Sequence, residues 1–157
     1  MEIIVKSRSK NRQEFIKNAA MFYSDQLGLN KSKYQLVIHS LPNLKKEGSN
    51  GLCAKTGHRQ VTVALYNKLS VIKLLYTLAH EMVHVKQFAL GHYRQEVKKG
   101  SVQHFWMGKR VSAEYIKRPW EIEAFSRESL LVEVLSNHVA RKLKKHKNML
   151  DNKSVIT

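Results

Sequence analysis

The chain has 157 residues, 43% of them hydrophobic, with 28 Lys and Arg against 12 Asp and Glu for a formal charge of +16. That length and composition suit one domain with its own hydrophobic core and exclude wholesale disorder. The single cysteine, Cys53, excludes an internal disulfide framework and a cysteine-based zinc cluster, and no apolar run reaches the ~18 residues a membrane span needs.

Residues 1–6 show no basic stretch followed by a long apolar one, so no signal peptide is expected and the expected location is cytoplasmic. Residues 3–5 suit a short strand. A helix is expected over 11–27, with Phe15, Ala19, Phe22 and Gln26 on one stripe, Ala20 and Tyr23 beside it, and Gly28 as its stop. Residues 34–40 (YQLVIHS) are rich in strand formers and end before Pro42; 43–50 form a polar loop. Residues 51–54 and 60–65, joined by a turn around Thr56-Gly57-His58, read as a β-hairpin. Ser70 is placed to N-cap a long helix over 71–90, with Gly91 at its end. Residues 92–118 read as irregular. A second long helix starts at Pro119 and runs to about Lys147, its last turns basic, as the helix dipole favours. The expected architecture is α+β: one domain over 1–148, a small antiparallel sheet packed on two long helices, and a flexible tail over 149–157.

Inside the 71–90 helix lies His80-Glu81-Met82-Val83-His84, an HExxH. Histidines four apart share one face and can grip one metal ion, and the glutamate after the first is placed to polarise a metal-bound water. At 100° per residue, Lys73, Thr77, His80, His84 and Gln87 form one polar seam on an otherwise apolar helix. An amphipathic helix with two histidines on its solvent stripe would give the same string. Against that, Glu81 lies off the seam, nearer apolar neighbours such as Leu74 and Phe88, where desolvation would raise its pKa towards that of a general base.

Two candidates remain for a third ligand. On the 119–147 helix, Trp120, Ala124, Phe125, Leu131, Val132 and Leu135 make an apolar face that contains Glu121, while Glu123 points to the other side with Ser126 and Leu130. A carboxylate in an apolar face needs a partner, and a metal is a good one; the helix N-terminus is the plainer alternative. Glu128, on nearly the same face, could accept from a ligand histidine. The other candidate is His104, which with Phe105-Trp106 loosely resembles the third histidine of SprT/Spartan-like proteases. The burial argument favours Glu121.

The segments Leu78-Ala79-His80-Glu81-Met82-Val83-His84-Val85-Lys86-Gln87, Trp106-Met107-Gly108-Lys109 and Pro119-Trp120-Glu121-Ile122-Glu123-Ala124-Phe125 resemble small gluzincin-type metallopeptidase-like proteins of tailed bacteriophages. They are more distantly similar to ImmA/IrrE-like peptidases. The resemblance spans about residues 60–131. It implies a zincin-like (minigluzincin) fold, Zn²⁺ held by His80, His84 and Glu121, and Glu81 as general base. It also implies a protein or peptide substrate lying along the strand 60–65, and a host-cytoplasmic or virion-associated place of action. Phe125 stands where that pattern often has Asp or Asn, which leaves Glu128 as the acidic partner.

The activity expected is therefore zinc-dependent peptide hydrolysis, with Tyr115 first and His104 second as donors to the oxyanion. His138 and His146 are expected on the surface, and Cys53 as a packing residue. Two alternatives stand beside it: a DNA-associated protease with His104 as third ligand, and a zinc-containing binding protein without turnover. The +16 charge draws nucleic acid, anionic surfaces or acidic proteins. Its basic residues are spread along the chain, denser at 6–12 and 141–147, with no aromatic-interleaved basic strand. Non-specific nucleic-acid contact is the most they imply.

Overall fold

A computed structural model describes residues 1–44, 49–111 and 118–154, with side chains as far as 146. The elements in order are β1 (Glu2–Lys6), α1 (Lys10–Gln26), β2 (Gln35–Leu41), β3 (Gly51–Gly57), β4 (Gln60–Tyr66), α2 (Val71–Ala89), β5 (Tyr93–Lys98), β6 (Ser101–Trp106), β7 (Lys109–Val111) and α3 (Pro119–Ser154). The protein is α+β, as expected, but its main sheet is not antiparallel. The strand order is β1-β2-β4-β3; β1 and β4 both run parallel to β2, and only the β3–β4 hairpin is antiparallel. A βαβ connection through α1 makes the first parallel pair, since parallel neighbours need a crossover. The strand 60–65, expected at an edge, is internal as part of β4, and the edge beside it is β3.

Alternation decides which face of this sheet is inside. Along β4, Val61, Val63 and Leu65 are fully buried while their neighbours are half-buried, the period of two that a one-sided core demands. The helices cover this face. On α1 the buried residues are Ile16, Ala19, Ala20, Tyr23 and Ser24, and Phe15 is exposed. The inward stripe is thus rotated by about one residue from the one expected, because Ile16 and Tyr23 fill the core better than Phe15 and Gln26. Ser9 accepts from the Arg12 amide and caps α1, whereas the Ser70 side chain makes no cap on α2. Gly28 and Gly91 follow their helices at φ +72° and +69°, the left-handed geometry that ends a helix and suits glycine.

The segment expected to be irregular holds a three-stranded antiparallel sheet, β5-β6-β7. Its turns are Lys99-Gly100 and Met107-Gly108, with φ of 49° and 76°, and 48° and 79°. Two consecutive positive φ values mark the tight hairpin turns that match strand twist. Their first residues are not the Asn or Asp that announce such turns, so the signal is weak in sequence. Helix α3 runs to Ser154, past the expected end near Lys147 and through much of the stretch expected as a tail; 155–157 lie outside the described residues. Among the described residues no helix is long and apolar enough to cross a membrane.

Helix α2 is the centre of the core: Leu74, Leu78, Ala79, Met82, Val83 and Val85 are all at most 1% exposed, while Ile72 at its start is 56% exposed. Leu78→Ala should therefore cost about 2–5 kcal/mol, and Ile72→Ala no more than about 0.5 kcal/mol. Urea unfolding of the two variants checks this; equal losses would mean that α2 is seated differently.

Candidate metal centre

The HExxH lies in the buried half of α2 and faces the first turns of α3. His80 Nε2, His84 Nε2 and Glu121 Oε2 converge: 3.2 Å separates the two nitrogens, and the carboxylate oxygen lies 3.3 and 3.4 Å from them. Ligand atoms 2.0–2.1 Å from a tetrahedral ion sit about 3.3–3.4 Å apart. Among the described residues these three form a group able to hold a metal ion. His104 is not in it.

Hydrogen bonds behind each ring favour a proton on Nδ1. His80 Nδ1 lies 2.9 Å from Glu128 Oε2 and donates to it, since a carboxylate only accepts; of the two roles open to Glu128, acceptor for His80 or surface ion pair, the contact is the first. The Gln87 side chain is fully buried; its amide nitrogen donates to the Trp120 carbonyl at 2.9 Å and to Glu123 Oε2 at 3.1 Å. Its oxygen is thereby turned to His84 Nδ1, 2.8 Å away, which must donate. Both Nε2 atoms then present lone pairs to each other and to a carboxylate. Three acceptors this close repel one another unless a cation lies between them. A proton on His80 Nε2 would serve one contact and leave His84 facing Glu121; a metal ion serves all three.

The electrostatics follow. Without an ion, protons on these nitrogens take part of the cation's place: burial opposes charge on Glu121, but hydrogen bonds and charge from His80 and His84 outweigh it and hold the carboxyl well below the ordinary range. Burial lowers His80, yet Glu121, Glu81 and Glu128 together raise it overall. For Glu81 desolvation wins: the group is 6% exposed and its pKa is pushed from an ordinary 4.5 to about 7, against the lowering effect of His84 and His80. A carboxylate with that pKa is matched to proton transfer near neutrality.

The three ligand residues and Glu81 line a cleft of about 550 Å³ bounded by β3, α2 and the start of α3. Gly51 brings β3 against α2 here. A Cβ on it would lie 2.6 Å from Glu81 Oε1 and 2.6 Å from Thr77 Cγ2, closer than atoms can pack. Nothing in the sequence pattern singled out this glycine, because the constraint is a contact between segments 30 residues apart.

No protein-family model, curated protein or solved structure matches the chain. The site is therefore read from its own geometry.

Other expected site residues fall elsewhere. Tyr115 lies outside the described residues. His104, on β6, has its Nδ1 2.8 Å from the Tyr93 hydroxyl and is stacked with Trp120. Burial and the Arg118 charge lower its pKa. Glu123 does not point away from α2: it accepts from Gln87 and pairs with Lys86 at 3.6 Å and Arg127 at 3.0 Å, so that Ile122, 58% exposed, faces outward instead. Phe125, expected in the core, is largely exposed at the cleft, its ring 4.6 Å from that of His80. Burial pushes the Cys53 thiol well up, consistent with a packing role and not a nucleophilic one. His138 and His146 are exposed, as expected.

Two outcomes are expected. Replacing Gln87 by Leu removes the acceptor that fixes the His84 ring, so affinity for zinc, used as the probe ion in a chelator competition, should fall about 10- to 100-fold; unchanged affinity would show that the amide does not position His84. Between pH 4.5 and 7 the metal-free folded protein keeps a proton on Glu81 that the unfolded chain releases, so this group makes stability fall as pH rises. Metal-free Glu81→Gln should be the more stable protein above pH 7, by up to about 3 kcal/mol, with the difference closing towards pH 4.5. Denaturant unfolding in the presence of chelator measures it, and a pH-independent difference would contradict the buried-charge account.

Proposed function

We propose that the protein is a zinc-dependent metallopeptidase that hydrolyses peptide bonds in a protein or peptide substrate. The observation that carries this reading is the meeting, in one open cleft, of three converging lone pairs and a buried glutamate with a pKa near 7. The likeness of the sequence motif to phage-encoded gluzincin-type proteins supports it, as does a donor set of two imidazoles and one carboxylate, which suits zinc.

His80, His84 and Glu121 would hold the ion. When bound, zinc supplies Lewis acidity, which makes water a competent nucleophile near pH 7. Glu81 takes a proton from the attacking water at its carboxylate and delivers it to the leaving amine nitrogen. Gln87 and Glu128 keep the imidazoles in the tautomer that presents Nε2 to the ion. The edge strand β3, which borders the cleft, offers main-chain groups to an extended peptide, a mode that gives affinity with little side-chain selectivity.

The test pairs metal content with hydrolysis of a denatured protein substrate. The wild-type chain should bind one zinc and cut; Glu81→Gln should keep zinc and lose at least about 100-fold in rate. Glu121→Ala should lose zinc while His104→Ala retains it. Gly51→Ala, which pushes into Glu81, should keep zinc and be slower. Zinc bound without cleavage under any condition would favour a binding protein instead, and loss of zinc in His104→Ala would refute the ligand set.

A further inference from the structure

A second concavity, of about 830 Å³, lies between α1 and α3 and is floored by the start of α2. Its walls are apolar yet open to solvent: Met21 is 53% exposed, Val71 62% and Val139 46%, with Phe15 beside them at 37%. It shares no lining residue with the metal cleft, although Leu75 in its floor directly precedes Tyr76 of that cleft on α2. Neighbouring exposed apolar side chains of this size mark contact surfaces more often than scattered single ones do.

The groove continues onto the outer part of α3. Every residue over 136–146 is exposed, and Leu143, four positions after Val139, is 66% exposed. Around this stripe stand Arg141, Lys142, Lys144 and Lys145, with no Asp or Glu between 137 and 146. Lys142 lines the groove itself.

These two features select the occupant. A second copy of the chain would bring its own four cations against these, with like-charge repulsion. Nucleic acid would use the cations and leave Phe15, Met21, Val71 and Val139 unsatisfied. A wholly apolar segment would desolvate Lys142 without a counter-charge. An amphipathic helix with aliphatic residues on one face and Asp or Glu on its flanks satisfies both, as helix-in-groove recognition does. We propose that the α1–α3 groove docks an acidic amphipathic helix of a partner protein. The groove shares no lining residue with the metal cleft, so its occupant would hold or recruit the protein without filling that cleft.

The probe is a fluorescent synthetic helix of about 18 residues, five turns, with Leu at the i, i+3, i+4, i+7 positions and Glu and Ala elsewhere. Anisotropy is read with the full chain at about 0.15 M salt, where long-range charge effects are screened. Controls are a scrambled peptide of the same composition, single-stranded DNA and anionic vesicles. The amphipathic peptide should bind at least about tenfold tighter than the scrambled one. Met21→Ser and Val139→Ser, both at exposed positions, should weaken it about tenfold with unchanged circular dichroism. Lys142→Glu with Lys145→Glu should abolish it and admit a Lys-for-Glu version of the peptide. Equal binding of the scrambled peptide, or binding indifferent to Met21 and Val139, would overturn the proposal. So would tighter binding of DNA or vesicles than of the peptide, which would make the face a phosphate-binding or lipid-binding surface.

Discussion

Three acceptors held within 3.4 Å of one another are the constraint around which this molecule is arranged. Two imidazole lone pairs and a carboxylate at this spacing repel unless a proton or a metal ion lies between them. They stay together because each group is anchored from behind. Glu128 accepts from His80, Gln87 accepts from His84, and Gln87 is itself tied to the Trp120 carbonyl and Glu123 at the start of α3. The same amide therefore sets a tautomer and docks α3 on α2. Packing acts in the same direction. Trp120, Ala124, Leu131 and Val132 bury the inner face of α3, so the ligand from the second helix is set by a rigid contact and not by a loop.

The environment of Glu81 shows the cost of such a site. A carboxylate at 6% exposure is destabilising when charged, and β3 is pressed onto it at a glycine where a Cβ would force the Glu81 or Thr77 side chain to shift. A core built only for stability would place an apolar residue there. Stability is instead given up at a carboxylate whose pKa burial raises, a compromise familiar in sites that act on protons. The surrounding α2 residues, nearly all inaccessible to solvent, supply the burial that offsets it.

Acidic and basic side chains are unevenly placed in the molecule. The metal centre draws in Glu81, Glu121 and Glu128, a large share of a small acidic complement, and Glu123 serves just behind it. The basic excess is left for the surface and is densest on the outer turns of α3, where apolar residues are exposed too. One long helix thus carries a ligand at its buried end and a cationic, partly apolar surface at the other. The two concavities share no lining residue.

Much of this was legible in the sequence because it depends on spacing within one element. The i, i+4 histidines share a helical face wherever that helix sits, the apolar face of α3 includes Glu121 by its 100° step, and Glu128 follows two turns later; all three meet as the periodicity implied. Alternation also marked β4, and the glycines after α1 and α2 marked their ends. What periodicity could not supply was any relation between elements. Parallel pairing of β1, β2 and β4 arises from a crossover that local pattern does not encode, and Lys-Gly and Met-Gly turns are too weak a signal to reveal β5-β6-β7. The choice of Ile16 over Phe15 for the core, the turning of Glu123 towards Lys86, Gln87 and Arg127, and the emergence of Phe125 at the cleft were each decided by which neighbour lay across the gap. The sequence by itself determined the candidate metal-binding group and the glutamate beside it, since these rest on covalent spacing along helices. Only tertiary structure decided that Gln87 holds His84, that Gly51 confines Glu81 and that β3 is the edge, since each rests on contact between segments distant in the chain.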